Sequence, residues 1–222
     1  MKPYYQDKWV TIYHADCRDI LPLIPDKSID LVLTDPPYGV RKDDWDDKLE
    51  FVYFVQEWIQ KLTLLAPIII WFTSSKHLPQ MLQGRNDFHR LLIWNKPPGT
   101  QYAGSSHNNI WYSFEPILVF GNEKTIIKKG GDSPYSYAVF NASTTPERNF
   151  NHPTSKPESL INWLVQHYSD KDDIILDPFL GSGTTCYCAK KLNRHSIGIE
   201  IEEKYCEIAA NRCRQMVMEF NI

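Results

Sequence analysis

A doubly wound, mostly parallel α/β sheet is the fold that this sequence predicts, and three observations predict it. Short apolar runs of the kind buried on both faces of a parallel sheet recur, as in SIDLVLTD (28–35) and PIIIWFTS (67–74). Segments with helical spacing alternate with them, LEFVYFVQEWIQKLTLL (49–65) being the longest. Glycine- or proline-marked turns close two of the runs, DPPY (35–38) and DPFLGSGTT (177–185). Alternation of this kind implies right-handed βαβ units around one sheet.

Taken in order, WVTIYHAD (9–16) predicts a strand and CRDILPLIPD (17–26) a short helix and turn. The strand at 28–35 leads through the polar segment GVRKDDWDDK (39–48) to the helix at 49–65, which Pro67 closes. A strand at 67–74 and a helix around 76–84 follow. HRLLIWNKP (89–97) and FEPILVFGN (114–122) are two further strands, separated by the polar loop PGTQYAGSSHNN. Residues 121–152 lack periodicity and carry Gly, Pro, Ser and Asn. KPESLINWLVQHYSD (156–170) predicts a helix and DIILDPF (173–179) a strand. GTTCYCAKKLN (183–193) opens a helix directly after Gly-Ser-Gly, HSIGIEIE (195–202) is a strand, and a helix runs from 203 to about 220.

The length of 222 residues suits one α/β domain with a modest insertion. No apolar run approaches the ~18 residues of a membrane span, and the N-terminus has no signal-peptide core, so a cytoplasmic protein is expected. The 5 cysteines include no CxxC pair and predict reduced thiols, with no metal site. A net charge of −3 advertises no overall basic field, so any polyanion has to be met by a local patch.

Ligands of such sheets gather at the carboxyl ends of the strands. HADC, TDPPY, DPFLGSGTT and IGIEIE all end strands in this reading, and one crevice holds them all. In DPFLGSGTT, Gly181 and Gly183 permit positive φ and close approach of a ligand to backbone. No lysine follows, as a phosphate loop requires, and the dinucleotide pattern GxGxxG is incomplete. Taken alone, the two glycines also fit a plain strand-to-helix turn. Asp177 precedes the turn, where a carboxylate holds an ammonium group, and Glu200 ends the next strand, where an acid accepts from ribose hydroxyls. A glycine turn flanked by acids suits a nucleoside with a cationic end, a description that S-adenosylmethionine meets.

DPPY is the more specific signal. Two prolines donate no backbone hydrogen bonds and fix φ near −65°, which stiffens the chain and aims the Pro36 carbonyl. Asp35 adds a carboxylate beside it, so two acceptors converge on one point beyond a buried strand. A planar amino group with two N–H bonds fits that point, and Tyr38 offers a flat face for an aromatic base. Acceptors pulling on both hydrogens favour a pyramidal nitrogen whose lone pair attacks, and Asp35 takes the released proton directly or through water.

DPPY together with DPFLGSGTT resembles the S-adenosylmethionine-dependent amino-methyltransferases of DNA. The order DPPY, a variable stretch, HPTSKPESLI (152–161), DPFLGSGTT and IGIEIEEKY (198–205) is similar to the β-class group and covers nearly the whole chain. HADCRDIL (14–21) resembles the family segment that precedes DPPY. The resemblance implies a seven-stranded Rossmann-like methyltransferase sheet with circularly permuted motif order, in a single domain spanning 1–222. It implies that Asp35, Pro36, Pro37 and Tyr38 form the catalytic site. Asp16, Cys17, Lys156, Asp177, Phe179, Gly181, Ser182, Gly183, Thr184 and Glu200 are implied to line the cofactor. A surface lysine opening a helix is the plainer explanation of Lys156.

Carbon-5 methylation of cytosine needs a Pro-Cys nucleophile, which this sequence lacks. Between adenine N6 and cytosine N4 the resemblance leans to adenine, because relatives acting on cytosine more often carry Ser where Asp35 stands. A paired base has to be flipped out of double-stranded DNA, and Trp45 in the loop 39–48 is a wedge or lid candidate, or a ring packed on the following helix. Recognition is expected around 121–152, where Lys124, Lys128, Lys129 and Arg148 give a basic lean. About 30 residues are too few for a core of their own, which implies a short target, weak specificity or help from a homodimer. A bacterial, archaeal or phage origin and a cognate restriction enzyme go with this reading. The competing functions are a cytosine N4 enzyme, an RNA methyltransferase and a catalytically silent nucleic-acid-binding homologue.

Overall fold

The computed structural model describes residues 2–36, 48–96, 113–121, 138–142 and 156–215, with backbone alone for 48–56. Its strands are β1 (Tyr5–Gln6), β2 (Val10–His14), β3 (Leu31–Thr34), β4 (Ile68–Phe72), β5 (Phe88–Asn95), β6 (Phe114–Gly121), β7 (Val139–Asn141), β8 (Ile174–Asp177) and β9 (His195–Glu200). The helices are α1 (Cys17–Ile20), α2 (Lys48–Leu65), α3 (Leu78–Leu82), α4 (Glu158–Tyr168), α5 (Thr184–Lys191) and α6 (Glu203–Gln215).

One sheet runs in the order β1-β2-β9-β8-β3-β4-β6-β5-β7. From β2 to β4 the strands are parallel. β6 is antiparallel to both β4 and β5, while β7 runs parallel to β5. The seven expected strands form the body of the sheet. The sequence misses the two short edges, β1 and β7, of 2 and 3 residues, which are too brief to show a period.

Every residue of β3 and β4 is buried, because helices cover both faces. On one face Leu31, Leu33, Ile68 and Ile70 pack against Leu160 and Leu164 of α4. On the other, Val32, Ile69 and Trp71 meet Trp58, Ile59 and Leu62 of α2. Small residues Ala209, Ala210, Cys206 and Cys213 let α6 press onto Val10 and Ile12 of β2. All five cysteines are buried as free thiols. Pro116 sits third in β6 and still contributes its carbonyl, which accepts from Thr73 N at 3.1 Å. Among the described residues, no helix is long and apolar enough to cross a membrane.

From β3 the chain moves one way to β4, and from β8 it moves the opposite way to β9. The carboxyl ends of β3 and β8 therefore flank the point where strand order reverses, which is where such sheets open a crevice.

Candidate functional site

The described chemistry-bearing residues meet along one edge of the sheet. Asp16, Glu200, Asp177 and Asp35 stand at the carboxyl ends of β2, β9, β8 and β3, because the register pairs His14 with Glu200, Asp177 with Gly198 and Val32 with Leu176. The antiparallel β6 brings its beginning to that same edge, with Trp94 opposite Glu115 and Asn95 opposite Phe114.

The glycine turn joins β8 to α5. Gly181 has φ of 53° and Gly183 φ of 81°, so both need the left-handed freedom that the sequence predicts. Leu180 N donates to Ile199 O at 2.9 Å and Gly181 N to Glu200 Oε2 at 2.8 Å, which staples the turn to β9. Glu200 Oε1 accepts from Glu202 N at 2.9 Å, so both carboxylate oxygens are oriented by backbone. Ser182 and Thr184 are buried within the turn and the first residue of α5.

Asp177 is only 4% exposed. Its Oδ1 accepts from Thr34 Oγ1 at 2.9 Å and from Phe179 N at 3.1 Å. Burial pushes this carboxyl up to about 6, against hydrogen bonds from Thr185 and Thr34 that favour the ionised form. The Phe179 ring meets Trp58 of α2 edge-on at 6.0 Å, which fixes the turn from the other side. At the end of β2, Asp16 caps α1 by accepting from Arg18 N at 2.9 Å, and the Arg18 guanidinium holds its carboxyl below the usual range. Cys17 is buried beside it, and burial pushes its thiol up to about 12.

Asp35 follows β3 and binds Lys156 Nζ through its Oδ2. Lys156 also meets Glu115 Oε1 at 3.0 Å, and Glu115 Oε2 meets Lys96 Nζ at 2.8 Å. Burial works against the Lys156 ammonium, but Asp35 and Glu115 outweigh it and keep the group protonated above its ordinary range. Burial likewise opposes the Glu115 carboxylate, and Lys156 and Lys96 outweigh that too, holding it below the ordinary range. The resemblance implies Lys156 in the cofactor wall; among the described residues it meets the acid of DPPY and an acid on β6.

Asp35 and Pro36 are therefore brought to the same edge as the glycine turn. Pro37, Tyr38, Trp45, Lys124, Lys128, Lys129 and Arg148 lie outside the described residues. Thr34, Lys96 and Glu115 go unmarked in the sequence. A signal for two of them exists: Lys96 and Glu115 are opposite charges at the end of one apolar strand and the start of the next, which antiparallel pairing brings together.

A row of carboxylates at Asp16, Glu200 and Asp177 suits a ligand bearing hydroxyls, an amino group and positive charge, and repels a pyrophosphate. S-adenosylmethionine carries those groups, so the donor set fits it. The N6/N4 DNA methylase family matches residues 29–211 of the chain. The type II methyltransferase M.HinfI of Haemophilus influenzae is 31% identical, covering 97% of this chain and 71% of that protein. M2.MboI of Moraxella bovis is 29% identical over 97% of this chain and 92% of its own length. The crystal structure of an M1.HpyAVI–SAM complex superposes with a TM-score of 0.67 at 27% identity, covering 91% of this chain and 99% of that one. The PvuII DNA methyltransferase, named as cytosine-N4-specific, shares the fold with a TM-score of 0.78 at 19% identity, over 95% and 88% of the two chains. With fold, acid row and family match in agreement, the chain belongs to the N6/N4 DNA methylases and is an S-adenosylmethionine-dependent DNA methyltransferase.

Proposed function

We propose that this chain methylates the exocyclic N6 amino group of adenine in double-stranded DNA, at a specific short sequence, as the modification member of a type II restriction system. The observation that carries the reading is the adjacency of Asp35 and Asp177: β3 and β8 are neighbours, and the hydroxyl of Thr34, the residue before Asp35, donates to Asp177. An acid suited to an amino group thus stands one strand from the acid and glycine turn suited to the cofactor. The aspartate at position 35 favours adenine over cytosine, and the type II relatives favour the restriction–modification setting.

When bound, S-adenosylmethionine supplies an electrophilic methyl group. Asp177 would pair with its ammonium, Glu200 would accept from ribose hydroxyls and Asp16 would meet its adenine, with Cys17, Phe179, Gly181, Ser182, Gly183 and Thr184 shaping the wall. The Asp35 carboxylate and the Pro36 carbonyl accept from the two N–H bonds of the target amino group. Asp35 then takes the proton that the nitrogen loses as it is methylated, directly or through one water. Tyr38 stacks on the flipped base, and Pro37 stiffens the corner. Lys156 holds Asp35 in place.

The chain acts as one domain, with residues 121–152 and their basic side chains Lys124, Lys128, Lys129 and Arg148 reading the target, and Trp45 closing over the base. Incubation with labelled S-adenosylmethionine and unmethylated double-stranded DNA, followed by nucleoside chromatography, tests this. N6-methyladenine is the expected product; N4-methylcytosine would overturn the base assignment, and label entering RNA alone would overturn the polymer.

A further inference from the structure

Lys96, Glu115, Lys156 and Asp35 form a line of alternating charge that leads from the antiparallel half of the sheet to the end of β3. Three of the four side chains are deeply enclosed: Lys156 is 9% exposed, and Glu115 and Lys96 are each 11% exposed. Aromatic faces complete the enclosure. Lys156 Nζ lies 5.0 Å from the Phe72 ring centroid and 5.8 Å from that of Trp94, and Lys96 Nζ lies 4.5 Å from Trp94.

The four residues come from just past β3 and β5, the start of β6 and the approach to α4. With Glu115 alone behind it, Lys156 would be drawn wholly to that carboxylate. Lys96 neutralises Glu115 from the far side, which leaves the Lys156 charge to be matched by Asp35. Asp35 lies beyond the last residue of β3, so strand pairing does not set the direction of its side chain. The ion line does.

We propose that Glu115, with Lys96 behind it, is a positioning residue for methyl transfer: it holds the Lys156 ammonium against Asp35 and so keeps that carboxylate turned toward the target amino group. The inference rests on the reading that Asp35 receives that group. Neither Glu115 nor Lys96 touches the reacting atoms; both act through Lys156. The antiparallel part of the sheet thereby serves the chemistry at the end of β3.

Glu115→Gln keeps the shape and removes the charge. Losing the orientation of a reacting group by about 1 Å costs about 100-fold in rate, so kcat is expected to fall about 100-fold while calorimetric affinity for S-adenosylmethionine and KM for DNA stay within about twofold. Glu115→Asp, which retains the charge, recovers about tenfold of that loss. In a Lys156→Met background, adding Glu115→Gln slows transfer by no more than about twofold, because groups acting in one chain are not additive. Should Glu115→Gln fail to bind cofactor, Lys96→Met decides, with an expected kcat loss of about tenfold at unchanged cofactor affinity. The inference is overturned if Glu115→Gln or, in that case, Lys96→Met turns over at the wild-type rate, or if losses multiply in the double variant. A wild-type chain that methylates no DNA overturns the proposed function instead, whatever the variants do.

Discussion

Asp177 is the residue at which burial and chemistry oppose each other most directly. Burial pushes its carboxyl up to about 6 in the fold, against about 4 in an unfolded chain. Between those values the folded protein binds the additional proton, so this residue's contribution to stability falls as pH rises through the window. Above it, the ionised form costs about 3 kcal/mol. Pairing with a ligand ammonium requires that ionised form. Cofactor affinity is therefore expected to weaken as the solution is taken from about pH 7 to about pH 5. Over the same interval the ligand-free wild type gains stability relative to Asp177→Asn, which lacks the titrating group. Calorimetry and thermal melts at the two values check both; an affinity that does not change with pH would remove Asp177 from the cofactor site. At this scale the sequence shows Asp35, Asp177 and Glu200, because each sits in a patterned turn or at a strand end. Lys96 and Glu115 are fainter, since the signal of opposite charges at adjoining strand ends counts only once the two strands are known to pair antiparallel.

The glycine turn acts as an element because α6 is packed against it. A Cβ on Gly183 would lie 2.5 Å from Ala209 Cβ and 2.8 Å from Ala209 Cα, at a φ of +81°. From the sequence, Gly183→Val is expected to crowd the loop and weaken cofactor binding; the structure puts the nearest obstruction in the C-terminal helix. Gly183→Ala is accordingly predicted to destabilise the fold itself. Left-handed strain and overpacking together cost about 3 kcal/mol, a fall of about 10 °C in Tm for a chain of this size. Ala209→Gly in the same chain removes one side of the clash and restores part of that loss. Equal melting temperatures for wild type and Gly183→Ala would contradict the packing account. Gly198 makes the same point on β9, where a Cβ would lie 2.6 Å from Leu180 Cδ2 of the turn. Long apolar or amphipathic elements are legible in the sequence, β3, β4, α2 and α4 among them. The close packing that excludes a Cβ at Gly183 and Gly198 is not, because it depends on residues brought together only by the fold.

Across the whole molecule the sheet edge divides into two working halves that meet between β8 and β3. On one side β2, β9 and β8 present the acid row and glycine turn; on the other β3, β5 and β6, with the approach to α4, present Asp35 and the ions behind it. The alternation of strands and helices makes a doubly wound, mostly parallel sheet readable from sequence, and the carboxyl-end rule then predicts a crevice at its strand ends. The antiparallel turn of β6 is not readable, and it is what carries Glu115 to the active edge. Because the halves occupy different strands, the proposed roles predict that cofactor binding and methyl transfer are separable. The most direct measurement is single-turnover methyl transfer by Asp35→Ala, alongside its calorimetric affinity for S-adenosylmethionine. Affinity within about threefold of wild type with transfer slowed about 1,000-fold or more is predicted; wild-type transfer, or loss of cofactor binding with an intact fold, would contradict it.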